Sequence, residues 1–107
     1  MQTPVILGAL RTALGSFQGG LKGVPAPRLA GTVAAELLRR LNVPPADVDE
    51  LILGNVIGAG LGQNPARQAA VLAGIPFSSS AFTVDMVCGS GLRAVCLAAQ
   101  AVALGES

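Results

Sequence analysis

The most informative segment of the chain is TVDMVCGSGLRAVCLAAQAVALG, residues 83–105. A run of strand-forming residues ends at Cys88, and a nearly unbroken series of apolar residues follows. In residues 92–104 only Arg93 and Gln100 are polar. A helix that is apolar on every face is normally buried on every face. The stretch therefore predicts a strand, a tight turn and a helix with neighbours all around it.

The rest of the chain alternates between the same two kinds of element. Short apolar runs predict buried strands, and longer runs with apolar residues at helical spacing predict helices. Asn42 and Pro44 end the first helix, Asn64 and Pro65 begin the second, and Gly74 ends it. Strands alternating with helices predict an α/β fold of order βαβαβα with a mostly parallel sheet. The predicted strands are 4–10, 49–58 and 80–87, and the predicted helices are 28–42, 65–73 and 89–104.

The composition limits the class of protein. The 107 residues have room for one small domain, and 51% hydrophobic residues with 14 glycines favour closely packed helices over disorder. A net charge of +1 from scattered basic residues argues against a nucleic-acid partner. A membrane span is indicated by about 18 consecutive uncharged apolar residues, and the chain contains no such run. The N-terminus also lacks the basic region of a signal peptide, so we expect a cytoplasmic protein.

The two cysteines, Cys88 and Cys96, are expected to be free thiols. On one helix they lie about 12 Å apart along the axis, whereas a disulfide needs Cα atoms within about 7 Å. The chain contains no histidine. Within these residues that excludes a Cys-His or Ser-His pair and most transition-metal sites, so no metal is expected.

Cys88 is the candidate nucleophile. It lies at a strand-to-helix turn, where free backbone N–H groups favour negative charge and therefore the thiolate. Gly89 and Gly91 allow a tight turn and let a substrate carbonyl approach N–H groups that serve as oxyanion donors. From spacing alone, a buried structural cysteine at a glycine-rich turn is an equally good interpretation. Cys96, in mid-helix, is interpreted as a small core residue.

Four other features are better explained by structure than by chemistry. The segment GAGLGQ, residues 58–63, has its glycines spaced as G-x-G-x-G and not as the dinucleotide-binding G-x-G-x-x-G, which favours a packed connection. Asp85 has no acid–base partner, and a structural role is preferred for it. Arg11 and Arg67 are expected to brace loops or face solvent and not to bind an anionic ligand.

The last helix needs more neighbours than this chain supplies. A three-stranded sheet with two other helices covers one side of it and leaves an apolar patch of the kind that marks an interface. The βαβ pattern also calls for another strand after Ser107. We therefore expect either a piece of a larger enzyme or an obligate partner in an assembly.

Three segments together resemble one known family. RTALGSFQGGL (11–21), GNVIGAGLGQNPARQAAVLAGIP (54–76) and DMVCGSGLRAV (85–95) are similar, in this order and spacing, to the N-terminal part of the thiolases. The CGSGL form is more similar to acetoacetyl-CoA, biosynthetic-type thiolases than to the degradative long-chain type. The resemblance implies that residues 1–107 are the N-terminal part of a thiolase N-terminal domain, itself incomplete.

Membership would give Cys88 a specific role. It would imply that this cysteine carries the acyl group as a thioester, with its backbone N–H in an oxyanion hole. A second acetyl-CoA, deprotonated by another cysteine, then condenses with the acyl group to give a 3-ketoacyl-CoA and free CoA, and thiolysis is the reverse. Coenzyme A thioesters are the substrates, and no resident cofactor is implied.

The resemblance also implies an architecture. The last helix would be the central helix of a layered α/β/α/β/α fold, sandwiched between two sheets, and the strand at 80–87 would lie at a dimer interface. A homodimer or homotetramer is expected. Asp85 stands where many members have Asn, and Ala13 where Pro is frequent.

Parts of the family's machinery are not matched within residues 1–107. The two catalytic histidines, the second cysteine and the CoA-holding loop region have no counterpart here, and Cys96 does not match the second cysteine's motif. A full catalytic cycle is therefore not expected from these residues alone. Two alternatives stay open: a β-ketoacyl synthase-type condensing enzyme, and a non-catalytic subunit or fragment that binds a partner chain.

Overall fold

A computed structural model describes all 107 residues and contains three α-helices and a two-stranded sheet. The strands are parallel and in register from Glu50 opposite Ser80 to Gly54 opposite Val84. Each strand is followed by a helix, so the α/β class and the parallel pairing predicted from the sequence are confirmed. In chain order the elements are α1 (Ala26–Leu41), a short 3₁₀ helix (Pro45–Asp47), β1 (Glu50–Gly54), α2 (Pro65–Leu72), β2 (Ser80–Val84) and α3 (Ser90–Leu104).

Most helix ends lie within one residue of the predicted ones, but α1 begins at Ala26, two residues before its predicted start. Asn42 ends α1 in the left-handed conformation, with φ of 53°. The Asn64 side chain accepts a hydrogen bond from the Arg67 N–H at 3.4 Å, and Pro65 occupies the first position of α2. Gly74 follows α2 with φ of 78°, and Gly105 ends α3 with φ of 75°.

The predicted first strand, residues 4–10, is wrong for this structure. Val5, Ile6 and Leu7 are 68–82% exposed, and the only backbone hydrogen bond made by residues 1–10 runs from the Gln2 N–H to the Ala103 carbonyl. A strand exists only where a neighbour supplies ladder hydrogen bonds, and β1 pairs with β2 alone. The segment instead has no regular secondary structure and lies beside α1 and α3.

The other two strands are shorter than predicted, ending at Gly54 and Val84 instead of residues 58 and 87. The last residue of β1, Gly54, lies in close contact with α3. A Cβ on Gly54 would lie 2.5 Å from the Gly91 nitrogen and 2.5 Å from the Ser90 carbonyl carbon. Because both are backbone atoms, only glycine allows the end of β1 to approach the first turn of α3 this closely.

The core is small and consists mainly of alanine. Ala66, Ala69 and Ala70 of α2 are fully buried. Gly31 of α1 is also buried, and a Cβ there would lie 2.7 Å from Leu72 Cβ. The predicted close packing of helices through small residues is confirmed for α1 and α2.

The last helix is mostly exposed. Within α3 only Ser90 and Ala94 are buried, whereas Leu92 is 71% exposed and Val95 52%. The expectation that this chain leaves one side of the helix uncovered is confirmed. The 18 residues 87–104 have a mean hydropathy of 1.6. By length and composition alone, and with Arg93 included, that is enough for a helix to cross a membrane. The core helix of a soluble protein meets the same criterion.

Candidate active site

Cys88 lies in the turn between β2 and α3. Both Cys88 and Cys96 are free and exposed. The interpretation of Cys88 as a buried structural cysteine is therefore wrong, and so is the placement of Cys96 in the core. Cys96 is exposed because α3 packs against β1 and β2 and has most of its surface uncovered.

The residue before the cysteine has an unusual backbone conformation. Val87 has φ of 47°, in the left-handed region. A β-branched side chain rarely occupies that region because its Cβ crowds the backbone, at a cost of about 1–3 kcal/mol. The turn therefore needs compensating interactions to hold it.

Side-chain hydrogen bonds from two residues supply that compensation. Asp85 Oδ1 accepts from the Val87 N–H at 3.0 Å. Ser90 Oγ accepts from the Met86 N–H at 2.8 Å and donates to the Val87 carbonyl at 2.6 Å. The structural role preferred for Asp85 is thus confirmed. Ser90, only 4% exposed, is a functional candidate that the sequence reasoning missed.

A sequence signal for Ser90 was present. A serine at the start of a helix commonly hydrogen-bonds nearby backbone, and Ser90 stands two residues after Cys88 between two glycines. No comparable signal exists for Val87, since valine is among the residues least expected at positive φ.

Three backbone N–H groups around Cys88 are free. The hydrogen bonds of the turn leave the N–H groups of Cys88, Gly91 and Leu92 without an acceptor in the chain. A Cβ on Gly91 would meet no atom within 4 Å, so the space on that side is open. Free N–H groups at a helix N-terminus, next to a thiol and open space, are suited to binding a developing negative charge.

The chain supplies no base for the thiol. The Cys88 sulfur makes no hydrogen bond, and no histidine is present. The largest groove, about 700 Å³, runs between α1, β1 and α3 and reaches Gly54 and Gly91, but Cys88 does not line it. No group of three or more His, Cys, Asp or Glu side chains is placed to hold a metal ion.

The remaining sequence candidates have structural contacts. Arg67 donates to the Ser79 carbonyl at 2.6 Å, and Arg11 donates to the Thr12 carbonyl at 2.9 Å. In the GAGLGQ segment, the side chain of Gln68 donates to two loop carbonyls, at 2.7 and 2.9 Å. Both the loop-bracing role of the arginines and the packed-connection interpretation of GAGLGQ are consistent with these bonds.

Comparison with known proteins identifies the family. The family described as "Thiolase, N-terminal domain" matches residues 4–107. The cytosolic acetyl-CoA acetyltransferase of Rattus norvegicus is 56% identical over 103 residues, which is 96% of this chain and 26% of that protein. The acetyl-CoA acetyltransferase of Pseudomonas aeruginosa is 53% identical over 107 residues, all of this chain and 27% of that protein.

A solved structure agrees. The Acat5 thiolase from Ascaris suum, crystallised in complex with coenzyme A, matches with a TM-score of 0.88 and 40% identity over 90% of this chain and 25% of that one. The chain belongs to the thiolase family, as the resemblance implied. It spans about a quarter of the length of the curated relatives it matches.

Proposed function

We propose that this chain supplies the acyl-accepting nucleophile of an acetyl-CoA acetyltransferase of the thiolase type. One observation carries the proposal: the exposed Cys88 thiol follows a strained turn, and its own N–H is unpaired. The names of the relatives and the coenzyme A bound to the Ascaris suum thiolase support acetyl-CoA as the substrate.

The proposed first half-reaction is acyl transfer to Cys88. The thiolate attacks the carbonyl carbon of acetyl-CoA, a C–S bond forms, and the carbonyl electron pair moves onto oxygen. The Cys88 N–H donates to that oxyanion, an interaction that strengthens as the charge develops. The oxyanion then collapses, CoA leaves as a thiolate, and the acetyl group remains on Cys88.

The proposed second half-reaction forms a carbon–carbon bond. Another cysteine removes a proton from the methyl carbon of a second acetyl-CoA, and the resulting carbanion attacks the acetyl group on Cys88. Acetoacetyl-CoA forms and the Cys88 thiolate is released. Thiolysis is the same sequence in reverse.

The groups that complete this cycle lie outside these residues. Cys96, in the middle of α3, does not match the motif of the second cysteine and is not proposed for that role. We therefore propose that residues 1–107 act as the N-terminal part of a thiolase N-terminal domain and do not turn over alone. The absence of histidine and the greater length of the relatives support this view.

The surroundings of the site are proposed on the same basis. α3 is the central helix of a layered α/β/α/β/α fold, and a second sheet covers its exposed face. The protein is a cytoplasmic homodimer or homotetramer with β2 at the subunit interface. Coenzyme A thioesters are substrates, and no resident cofactor, nucleic acid or membrane is involved.

A mass-spectrometric experiment tests the nucleophile. The protein expressed from its complete gene is mixed with acetyl-CoA, quenched in acid and digested. We expect a 42-Da acetyl adduct on the peptide that carries Cys88. Cys88→Ala abolishes the adduct and Cys96→Ala, the matched control, preserves it. An adduct that depends on Cys96 and not on Cys88 contradicts the proposal.

Two other functions are weighed against this proposal. A β-ketoacyl synthase-type condensing enzyme also places a cysteine at the start of a buried central helix, but it has no second catalytic cysteine. A non-catalytic subunit that binds a partner chain is favoured by the exposed apolar face of α3 and by the lack of histidine. Turnover by residues 1–107 in an acyl-transfer assay, with size-exclusion chromatography to define the species, excludes the inert subunit, and a second catalytic cysteine in the protein expressed from its complete gene excludes the synthase.

A further inference from the structure

The hydrogen bonds of the turn before α3 act on the peptide groups on both sides of Val87. The Val87 N–H, part of the peptide that joins Met86 to Val87, donates to Asp85 Oδ1. The Val87 carbonyl, part of the peptide that joins Val87 to Cys88, accepts from both the Oγ–H and the N–H of Ser90, at 2.6 and 3.2 Å. Because the two peptide planes flanking a residue define its φ and ψ, these bonds fix the conformation of Val87.

In the peptide that joins Val87 to Cys88, the carbonyl and the N–H have different roles. Its carbonyl is held by Ser90, and its N–H is the free N–H of Cys88. No peptide bond in the chain is cis, so this N–H points opposite to the held carbonyl across one rigid plane. Hydrogen bonding to a carbonyl also polarises the amide and makes its N–H a stronger donor.

The hydrogen bonds around the buried Ser90 hydroxyl determine where its proton points. Its oxygen accepts from the Met86 N–H at 2.8 Å, so its own proton is left to donate to the Val87 carbonyl.

We propose that Ser90, together with Asp85, is a positioning residue that orients and strengthens the Cys88 N–H as an oxyanion donor. The proposal rests on the proposed role of Cys88 as nucleophile, and its test is independent of recognition of coenzyme A.

Two thiol reagents separate positioning from stability. p-Nitrophenyl acetate acylates a thiol through a tetrahedral oxyanion and releases p-nitrophenolate. Iodoacetamide alkylates the same sulfur by displacing iodide and forms no oxyanion. The rates of both reactions at Cys88 are measured by peptide mass spectrometry in the protein expressed from its complete gene, and the ratio of acylation to alkylation is the readout.

Ser90→Ala is expected to lower this ratio at Cys88 about tenfold, since losing one oxyanion donor outright costs about 10²–10³ and here the donor is only misdirected. Alkylation of Cys88 itself, which forms no oxyanion, serves as the internal control and is expected to change little in the same variant. Ser90→Thr keeps the hydroxyl and is expected to retain the wild-type ratio. An unchanged ratio in Ser90→Ala, or equal losses of acylation and alkylation, overturns the proposal.

A second variant decides the matter if Ser90→Ala does not fold. Asp85 is exposed, so Asp85→Ala leaves packing intact while it frees the Val87 N–H. We expect the ratio to fall a few-fold in Asp85→Ala and to stay at the wild-type value in Asp85→Asn, which keeps an oxygen acceptor. Equal ratios in these two variants refute the proposal. Failure of acetyl-CoA to label wild-type Cys88 counts against the proposed function alone.

Discussion

The contact between α1 and α2 and the exposed face of α3 are both formed by apolar residues, with opposite results. Gly31 and the alanines of α2 let the two helices approach so closely that a Cβ on Gly31 would lie 2.7 Å from Leu72 Cβ, and these residues are buried. The apolar residues of α3 include Leu92, 71% exposed, and Val95, 52% exposed. Composition therefore does not decide burial in this chain. What decides it is whether a neighbouring backbone approaches closely enough to cover small side chains.

The largest loss of stability is expected from Gly54→Ala, which disrupts the contact between β1 and α3. The new Cβ lies 2.5 Å from backbone atoms of Ser90 and Gly91 that cannot rotate away. We expect a loss of more than about 3 kcal/mol in the free energy of unfolding, at the upper end of overpacking effects. Gly23→Ala, where no atom lies within 4 Å, is the control, and both are compared by thermal and urea unfolding. A melting temperature like that of the control would show that the two elements separate easily.

Leu92→Gln tests whether the exposed face of α3 is covered in the protein expressed from its complete gene. If a second sheet lies on it as proposed, the substitution buries an amide and removes apolar contacts, and we expect a loss of about 2–3 kcal/mol. Leu14→Gln, at an 85% exposed position of the N-terminal segment, is the matched control and is expected to change stability by less than about 0.5 kcal/mol. Equal, small effects in urea titrations of both variants would contradict the layered arrangement.

Gly31→Ala tests the packed half of the molecule. Alanine favours a helix over glycine by about 1 kcal/mol, but its Cβ would lie 2.7 Å from Leu72 Cβ. We expect a net loss of about 1–2 kcal/mol, because the two helices must move apart and open their alanine contacts. Thr32→Ala, on the exposed side of the same helix, is the control. A gain in the stability of Gly31→Ala would mean that the contact is looser than described.

The smallest effect concerns the surface of α1. Hydrogen bonds from Arg39, and then from Arg40, lower the pKa of Glu36 from 4.5 to about 2. A carboxyl whose folded pKa is lowered contributes stability that is present above about 4.5 and is lost as the pH falls through about 2. All three side chains are exposed or nearly so, so this contribution is small and screened by salt. An NMR titration of the Glu36 carboxyl is expected to show a midpoint near 2 that rises at high salt, and a midpoint near 4.5 in low salt would refute the pairing.

Features carried by local residues were predictable from the sequence. Asn42, Asn64 and Gly105 end or begin helices through their own backbone and side-chain preferences, and the structure confirms each of them. The exposed side of α3 followed from counting the elements available to cover it. The place of the turn at Cys88 was predictable from the sequence, but its backbone conformation was not.

Features that depend on distant partners were not predictable in this way. Residues 4–10 have the composition of a strand but lack ladder hydrogen bonds here, since pairing depends on another segment. The positive φ of Val87 runs against its intrinsic preference and is held by Ser90 and Asp85. The apolar residues next to Cys96 in the sequence predict that it is buried, but burial depends on contacts with other elements, and Cys96 is exposed.

The alanine core has a further consequence for the thermodynamics of folding. An alanine has no side-chain rotamers to lose when it is buried, whereas a leucine loses about 0.5–1 kcal/mol of conformational entropy. The contact of Ala69, Ala70 and Ala73 of the α2 region with α1 therefore forms at almost no entropic cost from side chains. It also removes little apolar surface from water, so its favourable term depends on dispersion between closely spaced backbones. Dispersion weakens steeply with distance, and we expect this half of the molecule to lose its stability abruptly when the two helices separate by even a fraction of an ångström.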